Sequence, residues 1–116
     1  MKRAELLDLL NARTLCGEDV PEFDIQCACG SDMMSDVLAF TKHDAILLTG
    51  LVNNHVLRTA EMLDIQAIMF VRGKVPPQEI IDMAEEMGMV LMATDYPMFT
   101  SCGILYKAGL KGGMRG

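Results

Sequence analysis

The stretch AILLTGLVNNHVLRTAE, from Ala45 to Glu61, contains an apolar run, a glycine and, two residues later, a polar turn. The opening run AILLT has no charged residue, which is typical of a strand buried on both faces of a sheet. Gly50 ends this run, and Asn53 or Asn54 can cap a following helix by accepting a hydrogen bond from an amide of its first turn. The stretch therefore predicts one strand-turn-helix unit.

The same pattern recurs along the chain and predicts the fold class. The predicted strands are 23–29, 45–49, 67–71 and 89–94. Five helices are predicted. The first covers 4–10, the second ends at Phe40, the third ends at Leu63, the fourth lies between Pro76 or Pro77 and Gly88, and the last covers 98–107. Apolar strands that alternate with helices are typical of α/β proteins. We therefore predict a mostly parallel central sheet of repeated βα units with helices on both faces.

The chain shows no linker-like segment between these units. Residues 11–22 are predicted to form an irregular connector, because Gly17 and Pro21 interrupt them. The last residues, LKGGMRG, offer little apolar surface for packing. We therefore predict a single domain over residues 1–110 and a flexible tail over 111–116.

Composition and charge favour a globular cytoplasmic protein. Hydrophobic residues make up 51% of the 116 residues and charged residues 22%, and the net charge is −6. Nucleic-acid binding normally requires a basic face, and the ten basic residues form no extended cluster. The N-terminal MKRAELLDLL is interrupted by charges, unlike a signal peptide, and no apolar run is long enough to span a membrane. We therefore expect neither nucleic-acid nor membrane binding.

Polar groups follow each predicted strand, at the sheet edge where parallel sheets bind ligands. Gly30, Ser31 and Asp32 follow the first strand, and Ser31 or Asp32 can also cap the next helix. The residues of this edge that we predict to bind a small anion or nucleotide are Thr49, Gly50, Asn53, Asn54, Arg72, Gly73, Lys74 and Asp95. The alternative is that these residues only build turns, since every βα turn needs glycine, caps and polar groups.

The established nucleotide-binding motifs do not occur at this edge. A P-loop requires two glycines with four residues between them, followed by lysine and serine or threonine, and neither TGLVNN nor RGKVPP fits. The dinucleotide fingerprint requires three glycines in one turn, whereas Gly50 stands alone. Any ligand at this edge would therefore be bound without these motifs.

The cysteines suggest packing rather than chemistry. Cys27 and Cys29 point to the same face of a strand, as two metal or redox ligands would, but the sequence has no second pair at zinc-like spacing. Cys102, near the start of the last helix, could have a lowered pKa, although its apolar neighbours favour ordinary packing. We therefore predict no catalytic residue, no metal and no cofactor.

Two segments resemble a known family, the DRTGG domain. They are DMMSDVLAF and LLTGLVNNHVLRTAEMLDIQAIMFVRGKVPPQEIIDMAEEMGMVLMATDYPMFT, and the resemblance extends over about residues 4–110. The chain is also similar to the N-terminal domain of HPr kinase/phosphorylase. The kinase activity of that protein resides in a P-loop domain, and the P-loop motif does not occur here.

The resemblance implies an accessory module with no catalytic activity, of the kind found beside CBS domains. It also implies a homodimer and, for stand-alone members, a protein partner related to hydrogenases. We therefore predict a non-catalytic regulatory or interaction module that forms a homodimer. The alternative prediction is a sensor that binds a small anionic ligand or nucleotide at the carboxyl-end loops of the strands.

Overall fold

The computed structural model of the protein describes residues 1–40 and 44–112. Its helices are α1 (Arg3–Leu9), α2 (Met34–Phe40), α3 (Asn54–Met62), α4 (Gln78–Glu86) and α5 (Met98–Lys107). Its strands are β1 (Arg13–Cys16), β2 (Cys27–Gly30), β3 (Ala45–Thr49), β4 (Ala67–Phe70), β5 (Val90–Ala93) and β6 (Lys111–Gly112). None of the helices in these described ranges is long and apolar enough to cross a membrane.

The strands form one six-stranded sheet in the order β1-β5-β4-β3-β2-β6. Every neighbouring pair is parallel except β1 and β5, which are antiparallel. The prediction of a mostly parallel sheet is confirmed. The central strands β3, β4 and β5 are buried along their whole length, which explains why their sequences are apolar without interruption.

Helices cover both faces of the sheet, as predicted. Alternate residues of β3 point to opposite faces, so Leu47 belongs to one apolar cluster while Ile46 and Leu48 belong to the other. The first cluster includes buried residues of α2, α3 and α4, and the second includes residues of α1 and α5. The sheet is therefore the middle layer between two helical layers.

Two predicted helix starts and one predicted helix end are confirmed. Asn53, rather than Asn54, is the residue that caps α3, because its Oδ1 accepts a hydrogen bond from the His55 amide at 3.0 Å. Pro77 immediately precedes α4, and Gly88 follows that helix with a φ of 74°. Asparagine supplies the acceptor that a first-turn amide needs, and glycine tolerates the left-handed backbone that often ends a helix.

The structure corrects two predicted segments near the N-terminus. The predicted connector 11–22 contains β1, which pairs with β5, a strand far along the chain from it. Of the strand predicted over 23–29, only residues 27–29 belong to β2, which continues to Gly30. In the segment before β2, the Ile25 amide donates to the Met1 carbonyl and the Gln26 amide to the Asp44 carbonyl. These two bonds to different segments replace the regular ladder that a longer strand would form.

The C-terminal end of the described chain also forms regular structure. Lys111–Gly112, the start of the segment predicted to be a flexible tail, pair with Cys27 and Ala28 as β6. The remainder of that predicted tail, 113–116, lies outside the described residues. Gly109, which we expected to stop the last helix, follows α5 with a φ of 108°.

Candidate functional site

The register of the sheet brings the carboxyl ends of β2, β3 and β4 to one edge. Gly30 at the end of β2 is paired with Leu48, and Thr49 at the end of β3 is paired with Phe70 at the end of β4. The residues that follow these strands therefore emerge side by side. Three of them, Asp32, Gly50 and Arg72, are in direct contact.

The carboxylate of Asp32 is the centre of this contact. Its Oδ1 accepts hydrogen bonds from the Gly50 amide at 2.7 Å and from the Thr49 hydroxyl at 3.1 Å. Its Oδ2 lies 3.2 Å from Nη2 of Arg72 and forms an ion pair with the guanidinium. One carboxylate thus binds donors from the ends of two different strands. In the described part of the chain, neither Ser31 nor Asp32, the two predicted caps of α2, bonds to an amide of that helix: Ser31 Oγ accepts from the Met33 amide at 2.9 Å, one residue before α2 begins at Met34.

Arg72 is held in position by its backbone as well as by its side chain. Its φ is 61°, in the left-handed region that residues other than glycine seldom occupy. Its amide donates to the Tyr96 carbonyl at 2.9 Å, and the Gly73 amide donates to the Thr94 carbonyl at 3.0 Å. The turn after β4 is therefore bound to the turn after β5.

Because Gly50 has no β carbon, the Arg72 guanidinium can lie against its backbone. A β carbon on residue 50 would lie 2.0 Å from Nη2 of Arg72 and 2.7 Å from Cζ. The Arg72 and Asp32 side chains are nevertheless 47% and 45% exposed, so the ion pair faces solvent. A molecule in solution can reach both groups without opening the core.

Two buried threonines anchor the turns at this edge in the same manner. The Thr49 hydroxyl accepts from the Leu51 amide at 3.1 Å while it donates to Asp32. The Thr94 hydroxyl accepts from the Tyr96 amide at 3.2 Å and donates to the Leu10 carbonyl at 2.6 Å. Each hydroxyl thus holds the turn that follows its own strand and ties it to another part of the chain.

A groove of about 390 Å³ lies at the same edge, between the start of α3 and the start of α4. Its apolar lining consists of Val52, Pro77, Ile80 and Met83, and its polar lining of Asn53, Asn54 and Glu79. The volume falls within the range of small-molecule pockets in proteins. The groove is open to solvent along one side, because Asn54, Pro77 and Glu79 are exposed.

The eight residues predicted to bind a ligand occupy different parts of this edge. Thr49, Gly50 and Arg72 contact one another or Asp32, whereas Asn53 and Asn54 line the groove. Gly73 lies beside Asp95, whose Oδ1 would be 3.5 Å from a β carbon on Gly73.

Lys74, the remaining predicted residue, is exposed, and its backbone amide donates to the Val71 carbonyl at 3.1 Å. Binding by these eight residues stays a prediction. Asp32 was not among them, although its position directly after a strand of the same sheet is a signal that could have identified it.

The environment of Cys102 opposes the lowered pKa that the sequence left open. Burial raises the pKa of the Cys102 thiol, and the neighbouring Cys29 raises it further, so thiolate formation is disfavoured. Cys27 and Cys29 are partly buried and pack against the core cluster on the α2–α4 face, as the packing interpretation predicted. Within residues 1–40 and 44–112, no three His, Cys, Asp or Glu side chains are placed to hold a metal ion.

Comparison with known proteins gives a structural relative. No family model matches the chain, and no curated protein sequence matches it. A similar solved structure is the crystal structure of the CBS and DRTGG domains of the regulatory region of Clostridium perfringens pyrophosphatase, complexed with its activator diadenosine tetraphosphate. The TM-score is 0.69 at 18% sequence identity, over 89% of this chain and 45% of that chain.

The likeness shows that the two proteins share a fold, which is consistent with a DRTGG domain. The present chain spans less than half the length of that chain. The fold predicted from the sequence is thus also found in the regulatory region of an enzyme.

Proposed function

We propose that the chain is a regulatory or interaction module without catalytic activity, which acts as a homodimer in the cytoplasm. One observation carries this proposal: 89% of the chain superposes, at a TM-score of 0.69, on part of a region described as regulatory. The pyrophosphatase activity and its activator belong to that protein. Only the regulatory role is transferred here.

Exposed aromatic side chains on α5 support the homodimer. Phe99 is 90% exposed and Tyr106 is 62% exposed, and the two lie about two helical turns apart on one face. Gly103 lies between them, and nothing would come within 4 Å of a β carbon there. An antiparallel crossing of two α5 helices at Gly103 would place Phe99 of each copy against Tyr106 of the other.

The charge distribution also favours a contact through α5. The chain carries a net charge of −6, which opposes self-association through most of its surface. From Tyr96 to Gly112, however, the sequence has two lysines and no acidic side chain. Two copies that meet through α5 therefore avoid the repulsion of carboxylates.

The homodimer is tested by sedimentation equilibrium at micromolar concentration. We expect the wild-type chain to be a dimer and the Phe99→Asp variant to be a monomer. Met62→Asp is the matched control, because Met62 is an exposed apolar residue at the end of α3, and this variant should remain dimeric. A wild-type chain that is strictly monomeric would contradict the dimer.

The regulatory role is tested with the partner protein. We propose a hydrogenase-related partner, on the family resemblance of the sequence. A tagged chain purified from its native cell should carry the partner with it, and adding excess chain should change that partner's activity at least about twofold. An activity that stays constant at every chain concentration would count against regulation.

A second candidate function is the sensing of a small anion or nucleotide at the strand-end edge. The observation that favours it is the convergence of the Gly50 amide, the Thr49 hydroxyl and the Arg72 guanidinium on one exposed carboxylate.

Thermal unfolding with added nucleotides tests the sensor. A ligand at 100 times its dissociation constant should stabilise the chain by about 2.7 kcal/mol. We expect such a shift with ATP or ADP and a smaller one with inorganic phosphate. If no anion changes the unfolding temperature, the sensor role is refuted.

A further inference from the structure

We infer that the Gly50 amide, the Thr49 hydroxyl and the Arg72 guanidinium form the binding site for the anionic head of a nucleotide-like ligand. In the free protein, the carboxylate of Asp32 occupies this site. The groove between α3 and α4 binds the uncharged body of the same ligand. This inference rests on the sensor role proposed above, and it adds the ligand class and an internal competitor.

The three donors have the chemistry of an oxyanion site. A backbone amide at a strand-to-helix turn, a hydroxyl and a guanidinium are all groups that bind phosphate and carboxylate oxygens in proteins. Here they lie 2.7, 3.1 and 3.2 Å from the two oxygens of Asp32. A phosphate group also presents negatively charged oxygen acceptors, so it can replace the carboxylate while the donors stay in place.

The backbone that carries the donors is positioned independently of Asp32. Thr49 is the last residue of the central strand β3, Gly50 directly follows it, and both are buried. The backbone of Arg72 is fixed by the hydrogen bond from its own amide to the Tyr96 carbonyl and by the neighbouring bond from the Gly73 amide to the Thr94 carbonyl, and its guanidinium lies against Gly50. A site that keeps its geometry when its occupant leaves needs little reorganisation to bind another anion.

Asp32, by contrast, can leave the site through side-chain rotation alone. Its side chain is 45% exposed, so rotation can bring the carboxylate into water. Its backbone is anchored on either side, because the Ser31 amide donates to the Leu48 carbonyl and the Met33 amide to Ser31 Oγ. The exchange of Asp32 for an external anion therefore requires no unfolding of the β2–α2 connection.

The groove defines the rest of the ligand. Val52 follows Gly50 by two residues, a separation that cannot exceed about 7 Å along the chain, so the groove begins next to the anion donors. Val52, Ile80 and Met83 offer apolar contact to a flat or apolar body. Asn54 and Glu79 add oxygen acceptors for amino or hydroxyl groups. An anionic head joined to such a body describes a nucleotide.

Asp32 should lower the apparent affinity of the site. An external anion must displace a charge that is already bonded to the same donors, and Asp32 also repels it until it moves away. Removing the carboxylate should therefore increase affinity, and removing Arg72 as well should cancel that increase. If the ion pair only stabilised the fold, removing the Asp32 carboxylate would lower the free energy of unfolding and would not increase the affinity for the anion.

Isothermal titration with inorganic tripolyphosphate and with ATP tests this inference. We expect Asp32→Ala to bind both probes about tenfold or more tightly than the wild type, and Asp32→Ala/Arg72→Ala to lose this gain. Asp36→Ala is the matched control, since it removes an exposed carboxylate from the first turn of α2, and it should bind as the wild type does. Met83→Ala should weaken the binding of ATP and leave the binding of tripolyphosphate unchanged.

The outcomes of the titration distinguish competition by Asp32 from the sensor role itself. If the wild type binds ATP through Arg72 and Asp32→Ala binds it no more tightly, the competition by Asp32 is overturned and the sensor stands. If no variant binds either probe, both are overturned. If Asp32→Ala binds tightly without Arg72, the assigned site is wrong. Circular dichroism checks folding, and Asp32→Asn, which removes the charge but keeps the shape, replaces the alanine variant if that one does not fold.

Discussion

The guanidinium of Arg72 lies against the backbone of Gly50, with Nη2 only 2.0 Å from the point where a β carbon would be. The same nitrogen forms the ion pair with Asp32, whose other oxygen accepts from the Gly50 amide. These contacts unite the turns that follow three neighbouring strands. Because the contacts are polar and half exposed, their contribution to stability should be modest while their contribution to ligand binding should be large.

Replacing Gly50 by alanine should displace the Arg72 side chain and break the ion pair. We expect Gly50→Ala to reduce the free energy of unfolding by up to about 1 kcal/mol, which is the usual value of an exposed ion pair. In an Arg72→Ala background the same change should cost little, because the clash is gone. Urea unfolding of the wild type, Gly50→Ala, Arg72→Ala and the double variant measures the coupling between the two residues. Costs that simply add would show that the two residues act separately.

A glycine in a helix provides the contrast to Gly50. Gly103 is an exposed residue of α5, and nothing would come within 4 Å of its β carbon. Gly103→Ala should increase the free energy of unfolding by about 0.5–1 kcal/mol, since alanine favours the helix. Urea unfolding below the dimerisation concentration measures the change, and a loss of stability would contradict the open environment of Gly103.

Gly17 should tolerate substitution much less well. Its φ is 91°, and a β carbon would lie 2.6 Å from the Met89 carbonyl oxygen and 2.8 Å from Val90 Cα, where the neighbouring backbone cannot easily yield. We expect Gly17→Ala to cost about 3 kcal/mol or more. Gly88→Ala is the control, because φ is 74° but the space is open, and it should cost only about 1 kcal/mol. Equal losses in thermal or urea unfolding would refute the backbone clash.

The buried hydroxyl of Thr94 should matter for stability in its own right. Thr94→Val keeps the shape of the side chain but leaves the Leu10 carbonyl and the Tyr96 amide without this partner. We expect a loss of about 1–3 kcal/mol, the cost of leaving buried polar groups unsatisfied. Thr100→Val, at an exposed position of α5, should change the free energy of unfolding by less than about 0.5 kcal/mol. A neutral Thr94→Val would show that neither bond stabilises the fold.

The Cys102 thiol should react slowly. Its pKa is raised from the ordinary value of 9.0 by burial and by the neighbouring Cys29, so less thiolate is present at pH 8 than in an unfolded chain. Iodoacetamide labelling, with peptide mass spectrometry to assign the site, should be slower in buffer than in urea. Faster labelling of the folded protein would restore a reactive role for Cys102.

The same pKa shift determines how stability depends on pH. In the folded state Cys102 keeps its proton to a higher pH than in the unfolded state. Its contribution is therefore fully present below the ordinary pKa of 9.0 and is lost as the pH rises through the raised folded pKa. Urea unfolding between pH 7 and pH 10 should show a smaller alkaline loss for Cys102→Ala than for the wild type. Identical losses would mean that Cys102 titrates equally in both states.

Much of the fold could be predicted from the sequence because its signals are local. The runs that became β3, β4 and β5 are apolar throughout, and Asn53 and Gly88 mark helix ends through their own chemistry. The strand β1 was missed because its partner β5 lies far along the chain, and a pairing of that kind leaves no local pattern. The alternation of apolar and polar residues at Phe23 and Ile25 wrongly indicated a strand there, because those two side chains pack against the α1–α5 cluster without forming a strand.

The candidate site was predictable in its location and less so in its arrangement. Topology places the ends of parallel strands at one edge, so Thr49, Gly50 and Arg72 were expected there. The sequence could not indicate that Asp32 turns its carboxylate toward Gly50, because Asp32 could equally have capped α2. Side-chain direction at a turn depends on tertiary neighbours that local sequence does not encode.

The most direct measurement is the backbone amide resonance of Gly50 in a ¹H–¹⁵N spectrum during titration with ATP. The Gly50 amide donates to Asp32 in the free protein, and the ligand phosphate should take over that bond. We expect the Gly50 resonance and the side-chain Nε–H resonance of Arg72 to shift together and saturate, and Asp32→Ala to saturate at a lower ATP concentration. An unchanged Gly50 resonance at an ATP concentration that shifts other residues would contradict the site.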